Sequence, residues 1–246
     1  VGQMISVAPL SIYHTTMYNG GVFRKILTEG WLSGTKWPAG ILELIKSHPT
    51  YDDYWRLQNL GERVEHVDWP VTLVGGWFDI FQQGTIDAFT EIQERGGPNA
   101  RDNVHLIVGA WTHGVNNTKV GDLTFPDKAR MPSVWPETDD WFDAWFFGDP
   151  LSPEPPPVLY YTMGEIPYGR DIPGHEWRSA DTWPPPESQD IPFYLTELGG
   201  LHRDTPQTAS LDYSYDPKQP VPTVGGQNLI LPAGSFDQRE VEERED

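Results

Sequence analysis

The 246-residue sequence contains no cysteine, which excludes disulfide bonds, thiolate-bound metals and a cysteine nucleophile. A chain without cysteine is compatible with oxidising and reducing compartments alike, so the sequence leaves open whether this soluble chain is cytoplasmic or secreted. No apolar run approaches the roughly 20 residues that a membrane-spanning helix requires. The opening stretch "VGQMISVAPL" also lacks the basic region and the full apolar region of a signal peptide.

Positive charge is scarce. Lysine and arginine together number 17, against 36 aspartate and glutamate residues, which gives a formal net charge of −19. Such a field repels phosphate backbones and anionic lipid, so we expect neither nucleic acid nor a membrane surface as a partner. The composition leaves homo-oligomer formation open.

The apolar runs predict an α/β fold. Continuous apolar stretches, typical of buried parallel strands, occur as "MISVA" (4–8), "VTLVGG" (71–76) and "VHLIVGAW" (104–111). Helical spacing occurs between and after the last two of them, at Ile86, Phe89 and Ile92, and in "ETDDWFDAWFFGD" (137–149). Strands that alternate with helices in this way predict a parallel sheet covered by helices.

The composition changes at a proline-rich stretch, "DPLSPEPPP" (149–157), which predicts a linker between two domains. The first domain, 1–148, contains a small helical excursion at 21–67. The second, 158–246, is expected to be a β sandwich or jelly roll, because short strand-like segments alternate there with turn residues: "VLYYTMG", "IPFYLT", "LDYSYDP" and "NLILPAG". Since the sequence begins within a strand pattern and ends in a charged run, we expect both domains to be incomplete.

Two lone titratable residues follow the two long apolar runs. Asp79 comes three residues after Gly76, and His113 comes four residues after Gly109. Functional groups of doubly wound α/β proteins lie beyond the carboxyl ends of the strands, so we expect an Asp79 oxygen within about 3.2 Å of a His113 ring nitrogen. Their order fits the acid and base of a Ser–Asp–His triad. The alternative is structural, with Asp79 capping the next helix and His113 bonded within its loop.

A triad also needs a nucleophile, and no G-x-S-x-G elbow occurs in the sequence. The nearest candidates, Ser6 and Ser33, do not lie at a strand–turn–helix elbow. In the order Ser, Asp, His, the serine belongs on a strand before "MISVA". We therefore expect it upstream of Val1, in a missing N-terminal segment of the same protein.

Several motifs in collinear order resemble the X-Pro dipeptidyl-peptidase and cocaine esterase-like family of serine hydrolases. These motifs are "VGGWFDIFQQGT", "IVGAWTHG", "YYTMGE…EWRSADTWPPP", "FYLTELGGL", "YDPKQPVPTVGG" and "FDQREVEERED". The family also includes α-amino-acid ester hydrolases and glutaryl acylase-like enzymes. The resemblance extends over nearly the whole chain.

The resemblance implies an α/β-hydrolase domain with a helical cap, followed by a jelly roll. Residues 1–148 would then be a partial α/β-hydrolase domain with a short cap at 21–67, and 158–246 a partial jelly roll. Asp79 matches the triad acid in G-G-W-x-D, and His113 matches the triad base in G-x-W-x-H. The family's serine elbow and its main oxyanion tyrosine precede the region that matches this chain.

The sequence thus predicts part of a serine hydrolase that cleaves ester, amide or X-Pro peptide bonds. We expect the enzyme to need no metal or other cofactor. We expect this chain to be inactive by itself, because it lacks the nucleophilic serine. Aromatic side chains that would line an acyl pocket include Tyr13, Trp31, Trp77 and Phe78. One alternative is a non-catalytic jelly-roll binding or adhesion protein on an α/β scaffold. Another is a metal-dependent hydrolase, which needs a third ligand beside Asp79 and His113.

Overall fold

A computed structural model describes residues 2–165, 173–197, 199–206, 210 and 212–244. The strands are β1 (Gln3–Ser6), β2 (Tyr18–Asn19), β3 (Val22–Phe23), β4 (Val71–Phe78), β5 (Val104–Thr112), β6 (Lys119–Val120), β7 (Leu123–Thr124), β8 (Val158–Thr162), β9 (Glu176–Ala180), β10 (Tyr194–Leu195) and β11 (Leu201–His202). The α-helices are α1 (Lys25–Gly34), α2 (Ile41–Ser47), α3 (Asp53–Arg56), α4 (Gln82–Arg95), α5 (Pro98–Arg101), α6 (Thr138–Phe147) and α7 (Arg239–Glu242). A π-helical turn spans Tyr13–Met17, and 3-10 turns span Leu60–Glu62, Val64–His66 and Asp127–Ala129.

The central sheet has five strands in the order β1-β4-β5-β8-β9. β1, β4, β5 and β8 pair in parallel, and β9 closes the sheet as an antiparallel neighbour of β8. The apolar runs at 71–76 and 104–111 thus lie in the central strands β4 and β5, as their composition predicts. The sheet confirms the predicted mixed α/β fold with mainly parallel strands.

Alternate side chains of β4 and β5 enter different cores, because successive residues of a strand point to opposite faces. Leu73 of β4 and Leu106 of β5 pack on the α4 side of the sheet, with the buried α4 residues Ile86, Phe89 and Ile92. Val74 and Ile107 pack on the other face with the buried Trp141 of α6. Both predicted helices therefore cover the sheet, one on each face.

The predicted cap region, 21–67, is mainly helical, with α1, α2 and α3 followed by two 3-10 turns. The core of this region is mainly aromatic and consists of the buried residues Tyr13, Met17, Tyr18, Ile45 and Trp55. It packs the preceding π-helical turn against the helices of the region. Within this region α2 is the second helix, and α3 is a single turn that ends at Arg56, after which the chain continues in 3-10 turns.

Residues beyond the proline-rich linker depart from the expected jelly roll. β8 and β9 join the sheet that contains β5, so the first strands after the linker extend the α/β sheet. Further on, β10 lies within "IPFYLT" and pairs in antiparallel fashion with β11. The jelly roll is not confirmed, and the domain boundaries stay a prediction.

The strand predictions for "LDYSYDP" and "NLILPAG" are wrong for the residues that the structure describes there, 212–217 and 228–234. Tyr213 and Tyr215 are 81% and 67% exposed, so their alternating pattern has no sheet to pack against. The second segment is folded back on itself, because Gly226 and Gly234 pair in an isolated bridge. Leu211 lies outside the described residues.

No helix in the described part of the chain combines the length and the apolar character needed to cross a bilayer.

The buried His105 of β5 predicts a pH-dependent stability. Its Nδ1 donates to the carbonyl of Pro156 at 3.1 Å, and burial lowers the pKa of His105 below its usual value. His105 therefore binds a proton more tightly in the unfolded chain than in the folded one. The stability that neutral His105 contributes is fully present above its unfolded pKa and is lost as the pH falls through its folded pKa. We expect the free energy of unfolding to fall from pH 8 to pH 5, with a smaller fall in His105→Gln. Urea titrations at each pH measure it, and His66→Gln, at an exposed histidine, should match the wild type; an unchanged slope in His105→Gln would contradict the assignment.

Candidate active site

Asp79 and His113 follow directly the carboxyl ends of β4 and β5. The two strands are parallel neighbours, and their last paired residues are Phe78 and Thr112. Asp79 is therefore the first residue after β4, and His113 is the first residue after β5. Adjacent parallel strands bring both side chains to the same edge of the sheet.

The two side chains are hydrogen bonded as the sequence predicts. Nδ1 of His113 donates to Oδ1 of Asp79 over 2.9 Å. The Asp79 carboxylate is fully buried, whereas 31% of the His113 side chain is exposed. A buried carboxylate that accepts from Nδ1 places the basic lone pair of the neutral imidazole on Nε2.

A tight turn holds Asp79 between β4 and α4. Its backbone N–H donates to the carbonyl of Gly76 at 3.0 Å, and its own carbonyl accepts from the N–H of Gln82 at 3.1 Å. The second carboxylate oxygen, Oδ2, is buried and has no hydrogen-bond partner among the described residues. A buried oxygen without a donor costs free energy, so its presence here calls for an explanation.

Sequence reasoning missed one ring that contacts His113 and one long-range contact to residues that flank Asp79 in sequence. The Phe81 ring stands edge-on to the His113 ring, with centroids 5.5 Å apart. Gln227 of the C-terminal segment donates through Nε2 to Oε1 of Gln82 at 2.6 Å and to the carbonyl of Trp77 at 3.3 Å. The only signal for Phe81 was its position two residues after Asp79. Gln227 carried none, because its contact depends on packing between segments far apart in sequence.

The four predicted pocket aromatics form two pairs in different parts of the molecule. Tyr13 and Trp31 belong to the aromatic core of the cap region, and the Tyr13 hydroxyl donates to the carbonyl of Pro49 at 3.0 Å. Trp77 donates through Nε1 to the carbonyl of Tyr161 at 2.7 Å. Phe78 packs against the small core that contains Tyr161. Each thus has a structural contact, and its role in substrate binding stays a prediction.

The serine candidates lie apart in sequence and in secondary structure. Ser6 ends β1, and the Ser33 hydroxyl donates to the carbonyl of Gly30 within α1. A serine that sequence reasoning passed over, Ser11, contacts Nδ1 of His14 at 2.9 Å. This contact spans only three residues and joins His14 of the π-helical turn to a residue two positions before the turn begins.

A metal site would need further ligands beside the Asp79–His113 pair. Within the described ranges, no three or more histidine, aspartate or glutamate side chains are grouped so that they could hold a metal ion. The arrangement present is instead a carboxylate that orients an imidazole. That pair suits proton transfer to and from a reacting oxygen or nitrogen.

A mainly parallel sheet with an acid and a histidine at the carboxyl ends of neighbouring strands places the chain in the class of α/β-hydrolase-like proteins. Comparison with known proteins agrees with this class. The sequence profile of the X-Pro dipeptidyl-peptidase (S15 family) matches residues 33–115, a range that includes both Asp79 and His113. The chain is also 30% identical over 222 residues to the cocaine esterase of a Rhodococcus species, a match that covers 84% of this chain.

Two mycobacterial relatives, from Mycobacterium bovis and Mycobacterium tuberculosis, are each named "Putative serine esterase". Each is 29% identical over 181 residues, which cover 72% of this chain. Both matches support the similarity of this chain to the X-Pro dipeptidyl-peptidase and cocaine esterase-like family. It spans about a third of the length of the cocaine esterase (36%) and about a quarter (24%) of the mycobacterial proteins.

Proposed function

We propose that this chain carries the acid and the base of a Ser–His–Asp triad, and that the full-length gene product hydrolyses ester or amide bonds. The observation that carries the proposal is the 2.9 Å hydrogen bond between His113 Nδ1 and the fully buried Asp79. The names of the relatives, an esterase and proteins named as serine esterases, agree with this chemistry.

The proposed reaction passes through an acyl-enzyme. Nε2 of His113 removes the proton of the serine hydroxyl as the serine oxygen attacks the carbonyl carbon. Asp79 stabilises the imidazolium that forms, and His113 then donates the proton to the departing alcohol or amine. A water molecule, activated by the same Nε2, next releases the acid and regenerates the serine. No step of this scheme requires a metal or an organic cofactor.

We place the nucleophile outside these 246 residues, in a segment N-terminal to Val1. The sequence contains no G-x-S-x-G elbow, and the relatives are long enough to hold further strands. Within the described residues β1 pairs with β4 alone, so its other side is open to pairing. A parallel strand added there would end at the same edge of the sheet as Asp79 and His113. By itself the chain would then be inactive.

We keep the predicted domain organisation in modified form. Residues 1–148 form the proposed partial α/β-hydrolase domain with its cap at 21–67. After the linker at 149–157, β8 and β9 complete the sheet, and the later short strands would begin the proposed jelly-roll domain. The substrates we propose are small esters, amides or peptides.

The Asp79–His113 contact favours the enzyme over a binding or adhesion protein on an α/β scaffold. A scaffold would need neither a buried carboxylate nor its bond to a part-exposed imidazole, because a buried ionised group is costly unless its surroundings compensate it. The metal-dependent alternative has no grouped ligands in the described ranges. The serine mechanism therefore accounts for the site best.

A serine-directed fluorophosphonate probe tests the proposal. We expect it to label one serine of the full-length gene product, within a G-x-S-x-G elbow N-terminal to Val1, and to leave the 246-residue chain unlabelled. Mass spectrometry of the labelled peptide identifies the site, and heat-denatured protein is the control for non-specific reaction. Stoichiometric labelling of the chain by itself, for example at Ser11, would show that the active site lies elsewhere.

A further inference from the structure

The pairing of β4 with β5 changes register by one residue just before both strands end. Gly76 pairs with Gly109, but the next pair along the strands is Phe78 with Thr112. One residue of β4 therefore lies opposite two residues of β5, Ala110 and Trp111. This is the definition of a β-bulge, with the extra residue in β5.

The bulge decides which residue meets Asp79. If the pairing continued regularly from Gly76 and Gly109, Asp79 would lie opposite Thr112, and His113 would lie one residue further on. A shift of one residue turns every following side chain of a strand to the other face. The extra residue thus brings His113, rather than Thr112, beside Asp79.

Trp111 and two glycines hold this geometry. The indole of Trp111 is fully buried, and its Nε1 donates to the carbonyl of Ala129 at 2.9 Å. A Cβ on Gly76 would collide with the backbone carbonyl of Trp111, and a Cβ on Gly109 would collide with the indole ring. Both positions therefore require glycine because of close approach.

We infer that the bulge at Ala110–Trp111, with Gly76 and Gly109, is a positioning device that sets His113 against Asp79. The inference rests on the proposed function for its catalytic meaning. Trp111, Gly76 and Gly109 are positioning residues, because their contacts act on His113 through the strand and not on a substrate. A misplacement of about 1 Å in an active site costs about 100-fold in rate, so a disturbed bulge should lower kcat and leave KM nearly unchanged.

Gly76→Ala in the full-length gene product tests the inference, with Gly75→Ala as the matched control. The three atoms nearest to a Cβ on Gly75 all belong to the Thr85 side chain, at 3.3 to 3.5 Å. We expect Gly76→Ala to lower kcat about 100-fold with KM within threefold, and Gly75→Ala to keep kcat within threefold. In the 246-residue chain, the downfield NMR signal of the His113 Nδ1 proton should be lost in Gly76→Ala and kept in Gly75→Ala. A folded Gly76→Ala protein with wild-type kcat and an unchanged signal would overturn the inference.

Trp111→Phe decides the question if Gly76→Ala does not fold. Phenylalanine keeps an aromatic ring in the core but loses the bond to Ala129, and we expect kcat about tenfold lower with KM unchanged. Wild-type kcat in Trp111→Phe would then overturn the inference.

His113→Ala distinguishes a failure of the proposed function from a failure of the positioning role. If it retains full activity, the proposed function fails; if it is inactive while Gly76→Ala and Trp111→Phe match the wild type, only the positioning role fails.

Discussion

We expect His113→Ala to lower the kcat of the full-length gene product on a 4-nitrophenyl ester by about 10⁴- to 10⁶-fold, with little change in KM. Without Nε2 no group removes the serine proton or protonates the leaving group, and removal of a triad member typically has an effect of this order. Asp79→Asn should cost about 10⁴-fold, because an amide that donates to Nδ1 leaves the imidazole in the wrong tautomer.

Steady-state kinetics with burst analysis measure both variants. His66→Ala, at an exposed histidine outside the site, is the control and should stay within twofold of the wild type. Retention of more than a tenth of the wild-type kcat by His113→Ala would remove His113 from the mechanism. The fluorophosphonate labelling rate of the same variants gives a second reading of the base, since labelling depends on deprotonation of the serine.

The second large effect is expected in the core under α4. Phe89 is fully buried between α4 and the sheet, so Phe89→Ala should lower the free energy of unfolding by about 3 to 5 kcal/mol. Phe147, at the end of α6, is 76% exposed, and Phe147→Ala should stay within about 0.5 kcal/mol. Urea denaturation of the 246-residue chain, followed by circular dichroism, compares the two substitutions. Equal shifts for both would mean that α4 is not packed as the structure shows.

The central sheet could be predicted because its information is local. The runs in β4 and β5 are apolar at every position, and the spacing of Ile86, Phe89 and Ile92 is that of one helix face. Since both strands are parallel neighbours, their ends had to meet at one edge, which was enough to predict that Asp79 and His113 lie close together there, but not the register that pairs them.

Long-range pairing could not be predicted in the same way. β8 and β9 resemble strands of any β domain, and only the structure shows that β8 pairs with β5. Tyr213 and Tyr215 alternate like a strand, but alternation forms a strand only where a partner exists. The bulge at Trp111 was hidden because a register shift depends on two strands at once. The glycines of "VGGW" and "IVGAW" are the sequence features that accompany the bulge. The reason for them becomes visible only when the two strands are paired.

The bond between Gln227 and Gln82 has a consequence for the order in which the contacts around the Asp79 turn can form during synthesis. The two residues are 145 positions apart. At about 5 to 20 residues per second, the ribosome makes Gln227 roughly 7 to 29 s after Gln82. β4 and β5 are separated only by α4 and α5, so Asp79 can meet His113 well before that. In the nascent chain, Asp79 and His113 can therefore meet while Trp77 and Gln82 still lack their bonds to Gln227, and translational pausing between these points would lengthen that interval.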